Sequence, residues 1–280
     1  MLQSEFPAMP LDSWRATRDT ITTYSKVIGK IRRALTPKQK HWWHISLRAT
    51  ATGLTTTPIP TGADALPHTF EMQLDFTRHE LRITNSLGGV AHVALHGQSA
   101  ADFCRESLHA LAGMGIHPNI DESQFSDTTP GTYDQGAVGR FWKAFSQIDS
   151  ILKEFKGTLR RETGPVQLWP HHFDHAFLWF SGRLVPGYDP ENEEYADEQM
   201  NFGFSTGDGS INDAYFYITA YPWPDGLEQT PLPEGAYWHT DGWKGGILPY
   251  DVLVGADNAK GTLLAYMQAA HQAGKALMKF

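Results

Sequence analysis

Residues 166–182, VQLWPHHFDHAFLWFSG, place His171, His172, Asp174 and His175 within five positions, with Trp169 and Trp179 on either side. A shorter counterpart, HWWHISLRAT, occupies residues 41–50. Ahead of this counterpart lies SWRATRDTITTYSKVIGKIRRAL (residues 13–35), whose Trp14, Ile21, Tyr24, Ile28, Ile31 and Leu35 keep to one helical face. Ahead of the histidine-rich stretch, AVGRFWKAFSQIDSILKEFKGTL (residues 137–159) repeats the pattern with Phe141, Phe145, Ile148, Leu152, Phe155 and Leu159. A constant shift of 127 residues carries Trp14 onto Phe141, Ile21 onto Ile148, Ile28 onto Phe155, Trp42 onto Trp169 and His44 onto His171. One ungapped register thus spans a helix, a loop and the strand expected after it. Asp12 is the expected N-cap of the first helix, and Pro37 its stop.

Downstream, HTFEMQLDFTRHELRITNSLGGVAHVAL (residues 68–95) reads as three strands, the last two joined at a Gly-Gly turn, with Phe70, Met72, Leu74 and Phe76 facing inward. MNFGFSTGDGSINDAYFYITAYPW (residues 200–223) reads as a hairpin around Gly207-Asp208-Gly209. A helix closes each half. Antiparallel strands bracketed by helices specify an α+β fold rather than a wound α/β one. The expected architecture is two pseudo-symmetric α-β-β-β-α repeats, residues 1–125 and 126–280, with mainly antiparallel sheets and helices on one face, joined in one body. The second is longer through loops near residues 183–199 and 222–246.

Composition narrows the function. The 9 Trp, 10 Tyr and 15 Phe supply an ample core, and a net charge of −8 argues against nucleic acid as the main partner. The basic run KVIGKIRRALTPKQK (residues 26–40) is expected to be a solvated helix face. Cys104 is the single cysteine, which excludes a disulfide within the chain and a CxxC motif; its helical stripe with Leu108 and Leu111 suits a packing thiol. The N-terminus lacks the basic start and apolar run of a signal peptide, and no window is long enough to span a bilayer. A cytoplasmic protein with no membrane partner is the expectation.

The motifs IGKIRRAL (28–35), HWWHISLRATATGLTTTPIP (41–60), MNFGFSTGD (200–208), YFYITAYPWP (215–224) and ILPYDVLVGADNAKGTLLAYMQAAHQAG (247–274) run through most of the chain. In them the sequence resembles the bacterial DUF5996 family. The resemblance implies a shared fold and carries no reaction.

Strand alternation sets the expected site. Trp42, His44, Ser46, Arg48 and Thr50 would share a polar face, matched after the shift by Trp169, His171, Phe173, His175 and Phe177. His172 and Asp174 would point the other way and pair with each other. His44 and His171 are then the candidate catalytic bases, with Trp42, Arg48, Trp169, His175, Trp223, Trp238 and His239 as ligand-binding residues. His44, His171 and His175 could hold one zinc or iron ion as cofactor, although no tight ligand motif such as HExxH is present. The proline- and tryptophan-rich loop of residues 222–246 could be a lid or packing. Three readings stay open: an enzyme acting on a small polar or aromatic molecule, a non-catalytic binder of one, and an interaction module whose histidines are core packing.

Overall fold

The computed structural model describes residues 6–62 and 68–278. Helix α1 (Arg15–Leu35) is followed by strands β1 (Arg48–Ala49), β2 (Gly53–Thr55), β3 (Ile59–Pro60), β4 (Thr69–Asp75), β5 (Glu80–Asn85) and β6 (Val90–Ala94), then by α2 (Ala100–Ala112). Helix α3 (Gln135–Thr158) leads to β7 (Gln167–Trp169), β8 (Asp174–Leu184), β9 (Asp197–Ser205) and β10 (Tyr215–Tyr221). Strands β11 (Tyr237–His239) and β12 (Gly245–Pro249), then α4 (Tyr250–Val254) and α5 (Ala259–Leu277), complete the chain. The fold is α+β with two antiparallel sheets. Among the described residues, no helix is long and apolar enough to cross a membrane.

The chain divides into two compact units that interleave in sequence. The first comprises Asp12–Trp142 and Gln167–Phe173; the second comprises Lys143–Val166 and Asp174–Phe280, with the chain up to Leu11. The division falls inside α3, between Trp142 and Lys143.

In the first unit the sheet order is β1-β2-β4-β5-β6, with β3 also on β4. Phe70, Met72 and Leu74 of β4 alternate inward, as do Leu81 and Ile83 of β5, and all are buried. Gly88, with φ 86, makes the expected turn between β5 and β6. Tyr24 of α1 stacks on Phe103 of α2 at 4.0 Å between ring centroids, and its hydroxyl donates to Gln98 Oε1 at 2.8 Å. Ser99 caps α2 by accepting from the Asp102 amide at 3.0 Å. The opposite face of this sheet is polar: Arg48 pairs with Thr55, Thr55 with Gln73, Gln73 with Arg82, and Arg82 with His92.

In the second unit the strands run β11-β12-β10-β9-β8. One sheet face carries Phe177 and Phe202, stacked at 5.2 Å, with Phe155 of α3 and His271 of α5 against them. Phe204, Phe216 and Tyr250 continue this core, and Phe6 meets Tyr250 edge-on.

Three local expectations are corrected. Asp12 does not cap α1: it lies in a short 3-10 turn, Leu11–Ser13, and the helix starts at Arg15. No strand begins at Trp42, because Lys40–Ile45 form a 3-10 turn in which His41 and Trp42 take φ of 53 and 61. The histidine-rich stretch is not one strand either. β7 ends at Trp169, a turn follows, and β8 starts at Asp174 after Phe173 with φ 58. Pro170, which has no amide to donate, sits where the ladder stops. The conformations at Trp42 and Trp169 therefore differ, whereas α1 and the residues of α3 matched to it by the 127-residue shift are both helical over most of their length.

Candidate functional site

The turn at Pro170–Phe173 restarts the pleat, so facing predicted across it is reversed. His175 is fully buried, not on the polar face. Its Nε2 lies 3.0 Å from Asp149 Oδ1 of α3, and its ring packs on Phe145 at 4.4 Å. Asp149 also accepts from Lys153 Nζ at 2.6 Å. Burial works to raise the Asp149 pKa, but the His175 hydrogen bond and charge, with Lys153, outweigh it and hold the carboxyl below its ordinary value. The expected pair of His172 and Asp174 does not form: His172 is exposed, and Asp174 accepts from the Tyr217 hydroxyl.

In the first unit, α1 carries Lys26, Gly29 and Arg33 along one stripe, and the 170–173 turn lies over Gly29. A Cβ there would come within 2.8 Å of Pro170 Cγ. The turn thus holds His171 near Lys26 and Arg33. His171 keeps an exposed surface although protein atoms crowd its ring. That desolvation, then His172, Lys26 and Arg33, lower its pKa to about 4. Trp169 meets His171 edge-on at 6.1 Å. Trp42, 36% exposed, stacks on buried His44 at 5.5 Å, with Arg33 and Lys38 over its ring at 5.4 and 5.8 Å. His44 Nδ1 accepts from the Gln39 amide at 3.3 Å.

Beneath this surface the basic run departs from expectation. Lys26 and Arg33 are exposed, but Arg32 is only 4% exposed and donates to the Ser46 carbonyl. Ser46 Oγ contacts Gln167 Oε1 at 2.6 Å. Arg48 is half-buried on β1. Cys104 is buried and its thiol is pushed up to about 11, by burial first and then by Glu122, which suits packing rather than nucleophilic chemistry.

In the second unit the sheet face away from Phe177 and Phe202 is polar. Register places Asp174, Ala176, Leu178 and Phe180 of β8 with Gln199, Asn201, Gly203 and Ser205 of β9, and with Tyr215, Tyr217, Thr219 and Tyr221 of β10, so the polar character lies on β9 and β10 and at Asp174. Tyr217 lies across Gly203, whose Cβ would come within 2.3 Å of the phenol Cζ, and so reaches Asp174. Burial first, then Asp174, raise the Tyr217 pKa well above 10. Tyr215 bonds Asp208, which also accepts from the amides of Ser210 and Ile211 at 2.7 and 2.9 Å. This is the expected hairpin turn.

The 222–246 loop divides between the two faces. Trp238 lies over Gly246 beside the Tyr266 hydroxyl of α5, and Trp223 meets Trp238 at 5.8 Å. Their indole N–H groups bond Thr230 O and Glu228 Oε2, at 2.7 and 2.8 Å. Both are packing on the helix side and do not cover the polar face. His239 and Trp243 lie on the polar side. Trp243 occupies the space a Cβ on Gly245 would need, His239 pairs with Gly245, and the two rings are 4.8 Å apart. Three polar atoms here are buried without a hydrogen-bond partner: Gln199 Oε1, Asn201 Oδ1 and His239 Nε2.

Among the described residues, no group of three or more His, Cys, Asp or Glu side chains is arranged to hold a metal ion. His44, His171 and His175 are therefore not assembled as zinc or iron ligands. His175 is instead committed to Asp149 within a core. Asp149, Arg32, Tyr217 and Asn201 were not singled out from the sequence. Two of them carried a signal: Asp149 follows Phe145 by four residues, and Arg32 follows Ile28 by four, so each falls on its helix's apolar stripe.

No curated protein and no solved structure matched the chain. A family model matches residues 6–280, which include the motifs running through both units. By that match the chain belongs to DUF5996, a family of unknown function.

Proposed function

We propose that the protein binds a small polar molecule on the polar sheet face of the second unit. The observation that carries this reading is the set of unpaired atoms on that face, Gln199 Oε1, Asn201 Oδ1 and His239 Nε2. Buried polar groups are rarely left unpaired, and each exception calls for an explanation, such as a bound water, ion or ligand group. Two amide oxygens and the Asp174 and Asp208 carboxylates make the face an acceptor for hydrogen-bond donors, while Tyr217, Tyr221 and Trp243 offer flat apolar walls. The favoured ligand is a donor-bearing molecule, either an alkylamine that carries an aromatic ring or a polyol. His239 supplies the imidazole for proton transfer if the ligand is also processed.

The reading moves the site from His44 and His171 to His239. Buried His44 and His175 fit core packing, which is what the interaction-module alternative expects of them. We further infer that the two halves descend from one α-β unit. The shared 127-residue shift through α1 and α3 supports this, and the different turns at Trp42 and Trp169 are local divergence within it.

Benzylamine and glucose titrated separately against tryptophan fluorescence test the binding reading. Saturable quenching by either probe is expected in the intact protein, lost in Trp243→Phe and weakened in Asn201→Leu. A saturable signal that survives both substitutions would move the site elsewhere, and no saturable signal with either probe would sink the reading.

A further inference from the structure

We propose that Arg32 and Arg48, in the first unit, form the receptor for a small oxyanion, a carboxylate or a phosphate group. A guanidinium has five N–H donors and no means of losing its charge at neutral pH. Arg32 is 4% exposed, and its only hydrogen-bond acceptor among the described residues is the Ser46 carbonyl. Its Nε is buried without a partner. No carboxylate pairs with it among the described residues. Its charged neighbour is another cation, Arg48, whose repulsion adds to burial in lowering the Arg32 pKa to about 10. Arg32 is therefore still charged at pH 7.

A buried cation with a second cation nearby is costly unless an anion joins them. Structural explanations that usually settle a buried arginine do not apply here. Among the described residues, neither an ion pair nor a network of carbonyls surrounds Arg32, although Ser46 Oγ beside it donates to Gln167 Oε1 at 2.6 Å. The carboxylate of Glu71 is on Arg48's side of the arrangement: Arg48 pairs with Thr55, and Thr55 donates to Glu71. The unmet demand is thus at Arg32. Planar guanidinium groups recognise carboxylate and phosphate through paired N–H donors, and two arginines converging on one oxyanion would satisfy Nε together with a terminal nitrogen of Arg32. Arg32 lies in the last turn of α1, Ser46 follows the Lys40–Ile45 turn and Arg48 stands on β1. These are also the segments that carry the IGKIRRAL and HWWHISLRAT motifs.

This site is separate from the polar face of the second unit, and its test does not depend on that reading. Potassium phosphate and potassium acetate are titrated calorimetrically into the full chain, each against potassium chloride at equal ionic strength. Saturable binding of phosphate assigns a phosphate-bearing ligand, and saturable binding of acetate alone assigns a carboxylate. Arg32→Met should abolish the binding, and Arg48→Gln should weaken it by about tenfold or more. Arg32→Met removes an uncompensated buried charge, so it is expected to fold. Should it not, the arginine Nε–H resonances of the unaltered protein decide: one must shift with the titration and saturate with the calorimetric signal. Binding that persists in Arg32→Met, or no saturable binding of either anion, overturns the proposal.

Discussion

Tyr217 passes over Gly203 to donate its hydroxyl to Asp174, two strands away on the same sheet face. The middle strand must have no side chain at that position, because a Cβ would come within 2.3 Å of the phenol ring. Gly203→Ala should therefore push Tyr217 off its path and destabilise the protein by about 1–3 kcal/mol, the usual cost of overpacking. Tyr217→Phe, which keeps the ring and removes the donor, should cost about 1–3 kcal/mol through the carboxylate it leaves behind. Combining Gly203→Ala with Tyr217→Ala should cost less than the sum of the two single changes, measured by urea unfolding. Full additivity would mean that the glycine and the tyrosine do not share this space.

Asp149 and His175 make the corresponding pair on the helix side. Asp149→Asn should destabilise by about 1–3 kcal/mol, because it removes the carboxylate that holds the buried His175 ring. The pH dependence has a definite sign. A carboxyl held below its ordinary value in the folded state contributes stability above its unfolded pKa, and that contribution is lost as pH falls through the folded value. Wild-type and Asp149→Asn unfolding curves should thus converge in acid below the ordinary carboxylate range. A constant gap down through that range would contradict the linkage.

His271 titrates in a more accessible window. Its ring lies among Trp179, Phe202 and Phe155, and burial first, then Lys275, lower its pKa from 6.5 to about 4. Between those values the unfolded chain binds a proton that the folded chain does not. The contribution is therefore complete above about pH 6.5 and fades as pH drops towards about 4. Replacing His271 with Gln should flatten the stability profile across that window, and an unchanged slope would exclude His271 as its source.

The parts of the fold visible in sequence are those whose cause is local. Alternation in β4 and β5, the glycine turn at Gly88 and the apolar stripes of α1 and α3 each arise from side chains a few residues apart. The 170–173 turn was not legible, since Pro170 marks a break in pairing without saying how many residues the break consumes. That count decides which way His175 and Asp174 face, so a single unforeseen turn reversed both assignments. β11 and β12 were hidden for another reason. Gly245 and Gly246 weaken any strand signal, and they are glycines because Trp243 and Trp238 lie against them from the two sides. Long-range partners such as Asp149 for His175 and Tyr217 for Asp174 depend on packing that no spacing rule encodes.

The charge of Arg33 acting on His171 offers a test on the surface of the first unit. Arg33 lies 5.4 Å from the Trp42 ring and is among the cations that depress His171, after desolvation and His172. Removing a positive charge makes protonation of the imidazole easier, so Arg33→Ala should raise the His171 pKa from about 4. Desolvation is the larger cause and stays in place, so the value should remain below the ordinary 6.5. Lys26→Ala should act in the same direction, and the two changes together should exceed either alone. Imidazole proton shifts followed across a pH titration read the effect directly. The same Arg33→Ala variant should alter Trp42 emission, because it removes one of the two cations over that ring. A His171 pKa that does not move in either variant would mean that the 170–173 turn does not hold this imidazole against α1, and the electrostatic reading of that surface would fall with it.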